Sequence, residues 1–202
     1  MSKSELEALN KEIARCKKCI LHKSRVKSVP GVGPADADIM FIGEAPGFHE
    51  NQQGIPFVGA AGRFLDELLA KINLQRQNVF IANVVKCRPP GNRDPEPEEI
   101  AACRPYLDRQ IKVIKPKMVI TLGRFSMARY FPNANISQIH GQPRKMEGVI
   151  YYPMYHPAAA LHQPSLRRTV EKDVLKIPGL LARIDELIES ERPEQAEQLS
   201  LF

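Results

Sequence analysis

Three polar residues of the chain combine chemically useful side chains with similar positions in the sequence. Glu44, Asn83 and His156 each stand at or near the end of an apolar run of strand length. A carboxylate can orient a water or stabilise positive charge, and an amide offers a donor and an acceptor in one plane. An imidazole can donate an N–H or carry a charge. These side chains could bind a polar ligand and assist the breaking of a bond in it, provided that the fold brings them together.

The loop that contains Glu44 is long and rich in glycine. Residues 43–62 read GEAPGFHENQQGIPFVGAAG and connect an apolar run to a segment with helical spacing of apolar residues. Loops of this length inside compact domains usually carry function, and glycines let the backbone approach a ligand closely. Glu50 adds a second acid and Phe57 adds a flat aromatic face. We therefore expect this loop to form one wall of a ligand site.

Strand and helix patterns alternate along the chain, which is typical of an α/β fold with a parallel sheet. The expected fold is a three-layer α/β/α sandwich with a four-stranded parallel sheet, in which Pro153 places the fourth strand at or near an edge. Because the carboxyl ends of parallel strands share one edge of the sheet, Glu44, Asn83 and His156 should meet in one crevice. The predicted strands are residues 38–42, 78–86, 117–122 and 149–155, and the main predicted helices are residues 4–14, 63–72, 95–114 and 165–189.

Charge and composition restrict the classes of partner and the compartment. Lys and Arg number 29 against 23 Asp and Glu, and the net charge of +6 favours an anionic partner such as nucleic acid. The sequence shows no apolar run long enough to span a bilayer and no signal peptide at its start, so a cytoplasmic protein is expected. We also expect the protein to be a monomer. Residues 1–189 should form one domain, followed by a polar, flexible tail over residues 190–202.

The four cysteines form a pattern that suits metal binding. Cys16 and Cys19 make a C-x2-C pair near the end of the first predicted helix, and Cys87 and Cys103 follow singly. Thiols stay reduced in the cytoplasm, so metal ligation is favoured over disulfides. Four thiolates can hold either Zn²⁺ or a [4Fe–4S] cluster, and the spacing alone leaves both open.

Taken together, the motifs resemble the family 4 uracil-DNA glycosylases, the iron–sulfur branch of the uracil-DNA glycosylase superfamily. They are GEAPG at 43–47, PFVGAAG at 56–62, NVVKCRPPGNR at 83–93 and HPAAAL at 156–161, in addition to the four cysteines. The resemblance extends from about Cys16 to Leu187. It implies the uracil-DNA glycosylase fold, and it implies that the metal is a [4Fe–4S] cluster held by Cys16, Cys19, Cys87 and Cys103.

The resemblance also implies that the protein flips uracil out of DNA and hydrolyses its N-glycosidic bond as part of base excision repair. In that reaction Phe57 would stack on the flipped base. Asn83 would pair with uracil N3–H and O4, a combination that cytosine does not offer. His156 would stabilise negative charge on uracil O2, and Glu44 would orient the attacking water.

One position departs from the best-known branch of the superfamily. Ala45 stands where that branch has an Asp, so the identity of the group that positions the water is open. Glu44 is the first choice and Glu50 the reserve, which could also pack against the pyrimidine C5 edge. Ala45 would then contribute only backbone contacts to the base.

The remaining predicted contacts concern DNA and a protein partner. Leu161 would enter the minor groove as a wedge that fills the space left by the flipped base. The candidates for phosphate contacts are Arg88, Arg93, Arg167 and Arg168. The chain ends in Gln198, Leu199, Ser200, Leu201 and Phe202, which resemble the pentapeptide that docks repair proteins on a bacterial DNA sliding clamp.

Two other functions fit part of the sequence. A non-catalytic iron–sulfur protein that binds DNA or carries electrons would keep the cysteines and the basic charge, but it would not need Glu44, Asn83 and His156 at three strand ends. A zinc-bound nucleotide hydrolase would need a phosphate-binding motif such as G-x4-G-K-[ST], which the sequence lacks.

Overall fold

The central sheet of the protein has five strands in the order β2-β1-β3-β5-β4. The computed structural model describes residues 2–189, and the predicted tail and clamp-binding peptide lie outside the described residues. Strands β2, β1, β3 and β5 pair in parallel, as predicted, and β4 pairs antiparallel with β5. The strands are β1 Ile39–Gly43, β2 Phe80–Asn83, β3 Met118–Leu122, β4 Arg144–Met146 and β5 Val149–Met154.

The expectation of four strands was one strand too few. Strand β4 has three residues and turns into β5 through Glu147 and Gly148, which both have positive φ (50° and 75°). A two-residue turn of this kind is typical of tight hairpins, but so short a polar strand leaves almost no periodic signal. Strand β5 therefore lies one strand in from the edge. Pro153 stands beyond the three residues that pair with β4, which fits its inability to donate a hydrogen bond.

Helices cover both faces of the sheet and make the predicted three layers. Alternate residues of β1 supply two separate cores: Ile39 and Phe41 on one face, Met40 and Ile42 on the other. This is the period of two that a strand buried on both sides requires. The helices are α1 Ser2–Arg15, α2 Phe48–Gln53, α3 Ala60–Lys71, α4 Pro97–Ile114, α5 Arg124–Ala128, α6 Ile136–Ile139, α7 Pro157–His162, α8 Pro164–Val174, α9 Ile177–Ala182 and α10 Ile184–Glu189.

Several helix boundaries differ from the prediction for local reasons. The segment predicted as one helix over residues 165–189 is three helices, α8 to α10, and Pro178 stands in the first turn of α9. The loop over residues 43–62 contains the short helix α2. Helix α4 begins at Pro97 and is capped by Glu96 and Glu99 in a capping box, so Asp94 is not the cap. None of the helices described is long and apolar enough to cross a membrane.

Candidate active site

A cavity of about 210 Å³ opens where β1, β2 and β5 end. The parallel order of these strands brings the three segments together, as the sequence predicted. Its lining includes all six residues predicted to contact the base or act in catalysis, namely Glu44, Ala45, Glu50, Phe57, Asn83 and His156. The crevice expected from the strand ends is therefore present, with those residues in it.

The wall of the cavity at the end of β1 depends on the small size of Gly43. A Cβ at Gly43 would lie 2.6 Å from Phe57 Cζ and 2.4 Å from Asn83 Oδ1. Phe57 adopts a left-handed backbone conformation (φ 54°), which is rare for an aromatic residue and costs energy. The aromatic ring and the amide of the predicted base-contacting pair thus meet over a glycine that leaves room for both.

Two residues, Arg76 and Gly62, constrain Phe57 in this strained position. Arg76 donates hydrogen bonds to the carbonyl oxygens of Phe57 and, at 3.0 Å, of Pro56. Gly62 in the first turn of α3 lies so close that a Cβ there would be 1.7 Å from the Phe57 oxygen. Arg76 was not among the predicted site residues, because its position in a polar connection between a helix and a strand gives no signal of this contact.

Glu50 holds the loop that carries Phe57. Its Oε1 accepts hydrogen bonds of 2.9 Å from the backbone N–H groups of Val58 and Gly59, and the residue is buried. Those two bonds engage one oxygen of the carboxylate that was considered as a reserve for positioning water. The visible role of Glu50 is to fix the shape of the cavity wall.

Asn83 presents an unpaired acceptor to the cavity. The residue is only 2% exposed, and its Oδ1 finds no hydrogen-bond partner among residues 2–189. A buried polar atom without a partner is costly, and such atoms in native proteins call for an explanation such as a ligand. An N–H of a bound ligand would satisfy this oxygen.

The backbone of Asn83 is fixed by a buried lysine that the sequence analysis did not identify. Lys86 Nζ donates to the Asn83 carbonyl at 2.8 Å and to Gln110 Oε1 at 2.7 Å. Burial lowers the pKa of Lys86 to about 7. Gln110 in turn donates to the carbonyl of Pro30, so the end of β2 is tied to α4 and to the connection before β1.

Glu44 sits half-buried at the mouth of the cavity, directly after β1. Burial raises the pKa of its carboxyl above the usual value, and the negative charge of Asp94 adds to this effect. The positive charge of Arg124, which is paired with Asp94, opposes it. A carboxylate with a raised pKa and an open path to water is suited to hold a water or to face a developing positive charge.

His156 is poised as a neutral hydrogen-bond donor. It caps helix α7, and its Nδ1 accepts a hydrogen bond of 3.1 Å from the backbone N–H of Ala158. The ring proton must therefore be on Nε2, the nitrogen left for a ligand. Burial lowers the pKa of His156 to about 4, so the ring is uncharged at neutral pH. Its ring stacks against Phe57 with centroids 5.6 Å apart.

The four cysteines surround a second cavity between α1 and α4, as the spacing predicted. Backbone and side-chain N–H groups point at three of the sulfurs: Arg25 Nη1 at Cys87, and the N–H groups of Lys86 and Lys18 at Cys103 and Cys16. These distances lie between 3.3 and 3.5 Å. The cavity is lined by Cys16, Cys19, Cys87 and Cys103.

The chemistry of this second cavity fits a thiolate-bound metal group. All four cysteines are free thiols within the described part of the chain, although no three His, Cys, Asp or Glu side chains there form a site for a single metal ion. Burial raises the pKa of the Cys103 thiol to about 11, so a positively charged group is needed to hold it as a thiolate. N–H donors directed at the sulfurs are the surroundings that iron–sulfur clusters use.

Three of the residues predicted to contact DNA lie in or near the segments that line the first cavity, and each has different neighbours within the protein. Leu161 is 39% exposed on α7, the helix whose Ala158 lines the cavity. Arg93 also lines it, and its guanidinium makes a bidentate pair with the buried Glu99. Arg88 donates to Asn92 Oδ1 at 2.6 Å.

The two arginines of α8 are not among the residues that line the cavity. Arg167 pairs with Glu67 at 2.7 Å and with Glu171 at 3.3 Å, so it bridges α3 and α8. Arg168 is exposed. The carboxylate partners of Arg93 and Arg167 give these two side chains a structural role that the sequence did not reveal.

Comparison with known proteins shows the family to which the chain belongs. The model of the uracil DNA glycosylase superfamily matches residues 30–176. The type-4 uracil-DNA glycosylase of Sulfurisphaera tokodaii is 50% identical over 87% of this chain and 84% of its own length. Those of Archaeoglobus fulgidus and Thermotoga maritima are 46% and 38% identical, each over 88% of this chain and 94% and 95% of their own lengths. The chain belongs to the type-4 uracil-DNA glycosylases of the uracil DNA glycosylase superfamily.

Proposed function

We propose that the first cavity receives a uracil flipped out of DNA and that Glu44 and His156 promote hydrolysis of its N-glycosidic bond. The protein is a DNA repair glycosylase, a hydrolase that removes uracil and leaves an abasic site. The single observation that carries the assignment of the cavity is the unpaired, buried Oδ1 of Asn83 beside the ring of Phe57. These are an acceptor and a flat face, which an extruded pyrimidine needs.

The hydrogen-bond donor and acceptor of the Asn83 side chain account for recognition of the base. Asn83 Oδ1 accepts from uracil N3–H, and the amide NH2 of Asn83 donates to O4. Cytosine has an acceptor at N3 and a donor at N4, so both contacts would fail. Extrusion costs a few kcal/mol, and stacking on an aromatic ring such as Phe57 returns about 1–3 kcal/mol of it.

Cleavage of the N-glycosidic bond places negative charge on the uracil and positive charge on the sugar. The electron pair of the N1–C1′ bond leaves with uracil, and the Nε2–H of His156 stabilises the resulting negative charge at O2. The sugar becomes positive at C1′, where the carboxylate of Glu44 stabilises it and orients the water that attacks. The water oxygen bonds to C1′, and its proton passes to the departing base or to solvent.

We propose that the second cavity holds a [4Fe–4S] cluster bound by Cys16, Cys19, Cys87 and Cys103. Hydrolysis of a glycosidic bond requires no electron transfer, so the role of the cluster would be structural. It would cross-link α1, the segment after β2 and α4. Three sulfurs with N–H donors at 3.3–3.5 Å support this assignment. A cytoplasmic enzyme is expected, and thiols stay reduced in that compartment and available for a cluster. A monomer of one domain is expected.

Loss of one cysteine should therefore remove iron and stability together. In Cys87→Ser we expect the iron content of the purified protein to fall and the midpoint of thermal unfolding to drop. The wild-type protein should be brown and should contain iron bound by its cysteine thiolates. A colourless wild-type protein that contains stoichiometric zinc would contradict the proposal.

DNA contacts outside the cavity complete the proposed complex. Leu161 would fill the vacated stack from the minor groove, and Arg88, Arg93, Arg167 and Arg168 would stand along the phosphate path. Since Arg93 and Arg167 already pair with carboxylates, they would contact phosphates only as members of ion-pair networks. The non-specific affinity should accordingly fall as salt is raised.

We further propose that residues 198–202 dock the enzyme on a DNA sliding clamp. Their pattern of two Leu and a terminal Phe after a polar segment is the support for this proposal. Deleting residues 198–202 should abolish clamp binding but leave uracil excision from a short oligonucleotide unchanged, since tethering changes only the local concentration. Wild-type affinity of the truncated protein for the clamp would refute this proposal.

The proposed activity is tested with oligonucleotides that contain a single uracil, thymine or cytosine. After incubation with purified protein, alkali should cleave the uracil strand at the abasic site and leave the thymine and cytosine strands intact. A non-catalytic iron–sulfur protein would leave all three strands intact. A zinc-bound nucleotide hydrolase would release phosphate from free nucleotides instead.

A further inference from the structure

An exposed aromatic ring, that of Phe48, stands beside the active-site cavity. Of the Phe and Tyr side chains in residues 2–189, Phe48 alone is exposed, with 52% of its surface accessible. It directly follows Gly47, which lines the cavity. Single exposed apolar side chains are ordinary on protein surfaces, so it is the position of this ring at the cavity, next to Gly47, that points to a contact with a ligand.

The backbone under Phe48 is held rigidly. Asn51 N–H donates to the Gly47 carbonyl at 3.0 Å, and Gly54 N–H closes α2 by donating to Glu50 at 2.7 Å. The buried Asn51 also accepts a hydrogen bond of 3.0 Å from Val26 N–H through its Oδ1. The ring therefore projects from a short helix that is fixed to the body of the protein.

A cation and a second ring support Phe48 from the protein side. The guanidinium of Arg88 lies over the Phe48 ring, 5.4 Å from its centroid, and His49 packs edge-on at 5.5 Å. Arg88 is itself oriented by its bond to Asn92, and Asn92 lines the cavity. The ring is thus backed by positive charge while more than half of its surface stays open.

This combination suits a nucleobase better than a protein surface. Sequence-tolerant binding of single strands uses aromatic rings as stacking platforms next to basic side chains. Protein-docking patches need a wider apolar area than one ring supplies. A strand that delivers one nucleotide into the cavity must also place its neighbouring nucleotides on the rim where Phe48 stands.

We propose that Phe48, backed by Arg88, stacks on the base adjacent to the extruded uridine. This inference rests on the proposed function of the cavity. Phe48 would be a second stacking surface for a base at the mouth of the cavity, separate from the ring of Phe57 inside the cavity. Because Phe48 lies outside the reacting groups, it should affect capture of the strand and leave the chemical step unchanged.

The test measures kcat and KM on single-stranded oligonucleotides with one uracil. We expect Phe48→Ala to raise KM about tenfold with unchanged kcat, in line with the loss of one base–aromatic stack. Phe48→Trp should retain the wild-type KM. Leu175→Ala, which truncates a side chain that is 57% exposed at the end of α8, is the matched control and should change neither constant.

A second set of substrates identifies the stacking partner. One nucleotide next to the uridine, on the 5′ or the 3′ side, is replaced by an abasic analogue. On one side the wild type should lose about tenfold in KM, and Phe48→Ala should lose nothing further there. Unchanged KM in Phe48→Ala, or losses that multiply independently on both sides, would overturn the inference. Absence of excision by the wild type on every uracil substrate would instead refute the proposed function.

Discussion

Replacing Asn83 with Ala should reduce kcat/KM for uracil excision by about two to three orders of magnitude. The variant removes both hydrogen bonds that recognise the pyrimidine, and the polar edge of the flipped base is left without partners at the buried position of Asn83. Affinity for uracil-free DNA should stay close to the wild-type value, because phosphate contacts dominate non-specific binding. Single-turnover rates and a titration of uracil-free DNA measure the two quantities.

The stability of this variant provides the control. Asn83 Oδ1 has no partner within residues 2–189, so the loss of its side chain should change the thermal midpoint little. A large drop in that midpoint would mean that the lost activity reflects unfolding. Full activity in a folded Asn83→Ala protein would remove Asn83 from the mechanism.

Replacing His156 with Ala should lower kcat by about a hundredfold to a thousandfold and leave KM nearly unchanged. The Nε2–H acts on charge that develops only as the bond breaks, and loss of one such donor typically has this effect. The wild-type rate should also show no titration step near pH 6.5, because burial holds the pKa of His156 near 4. A step near pH 6.5 that disappears in His156→Ala would contradict the neutral donor.

Protein stability should report the same depressed pKa with a definite sign. The unfolded chain binds a proton at this histidine below about pH 6.5, whereas the folded protein resists it until about pH 4. Stability is therefore unaffected above pH 6.5 and falls as the pH is lowered from 6.5 toward 4. In His156→Ala this part of the pH dependence of unfolding should be absent.

Much of the site could be predicted because topology determines it. Parallel strands end at one edge of the sheet, so Glu44, Asn83 and His156 had to converge once the strands were assigned correctly. The cysteines likewise gather because α1 and α4 pack against each other and share one buried cluster with residues of β2. In both cases, the residue types and their positions relative to the predicted strands and helices were enough to predict which residues come together.

The missed features depend on contacts between distant parts of the chain. Lys86 reads as an ordinary charged residue, and only the fold buries it between the Asn83 carbonyl and Gln110. Arg76 holds Phe57 from 19 residues away. In the sequence Phe48 is an ordinary apolar residue of a loop, and its exposure depends on its place at the start of the short helix α2. The pattern of hydrophobic residues along a sequence does not indicate which distant polar side chains will contact each other.

The most direct measurement of the central claim is the quantity of free uracil released from DNA. Purified protein is incubated with a uracil-containing duplex, the small molecules are separated, and free base is quantified beside the abasic sites in the strand. The mechanism predicts one molecule of free uracil for each abasic site, with the phosphodiester backbone intact before alkali. Strand breaks without free uracil, or intact DNA after prolonged incubation with cluster-loaded protein, would contradict it.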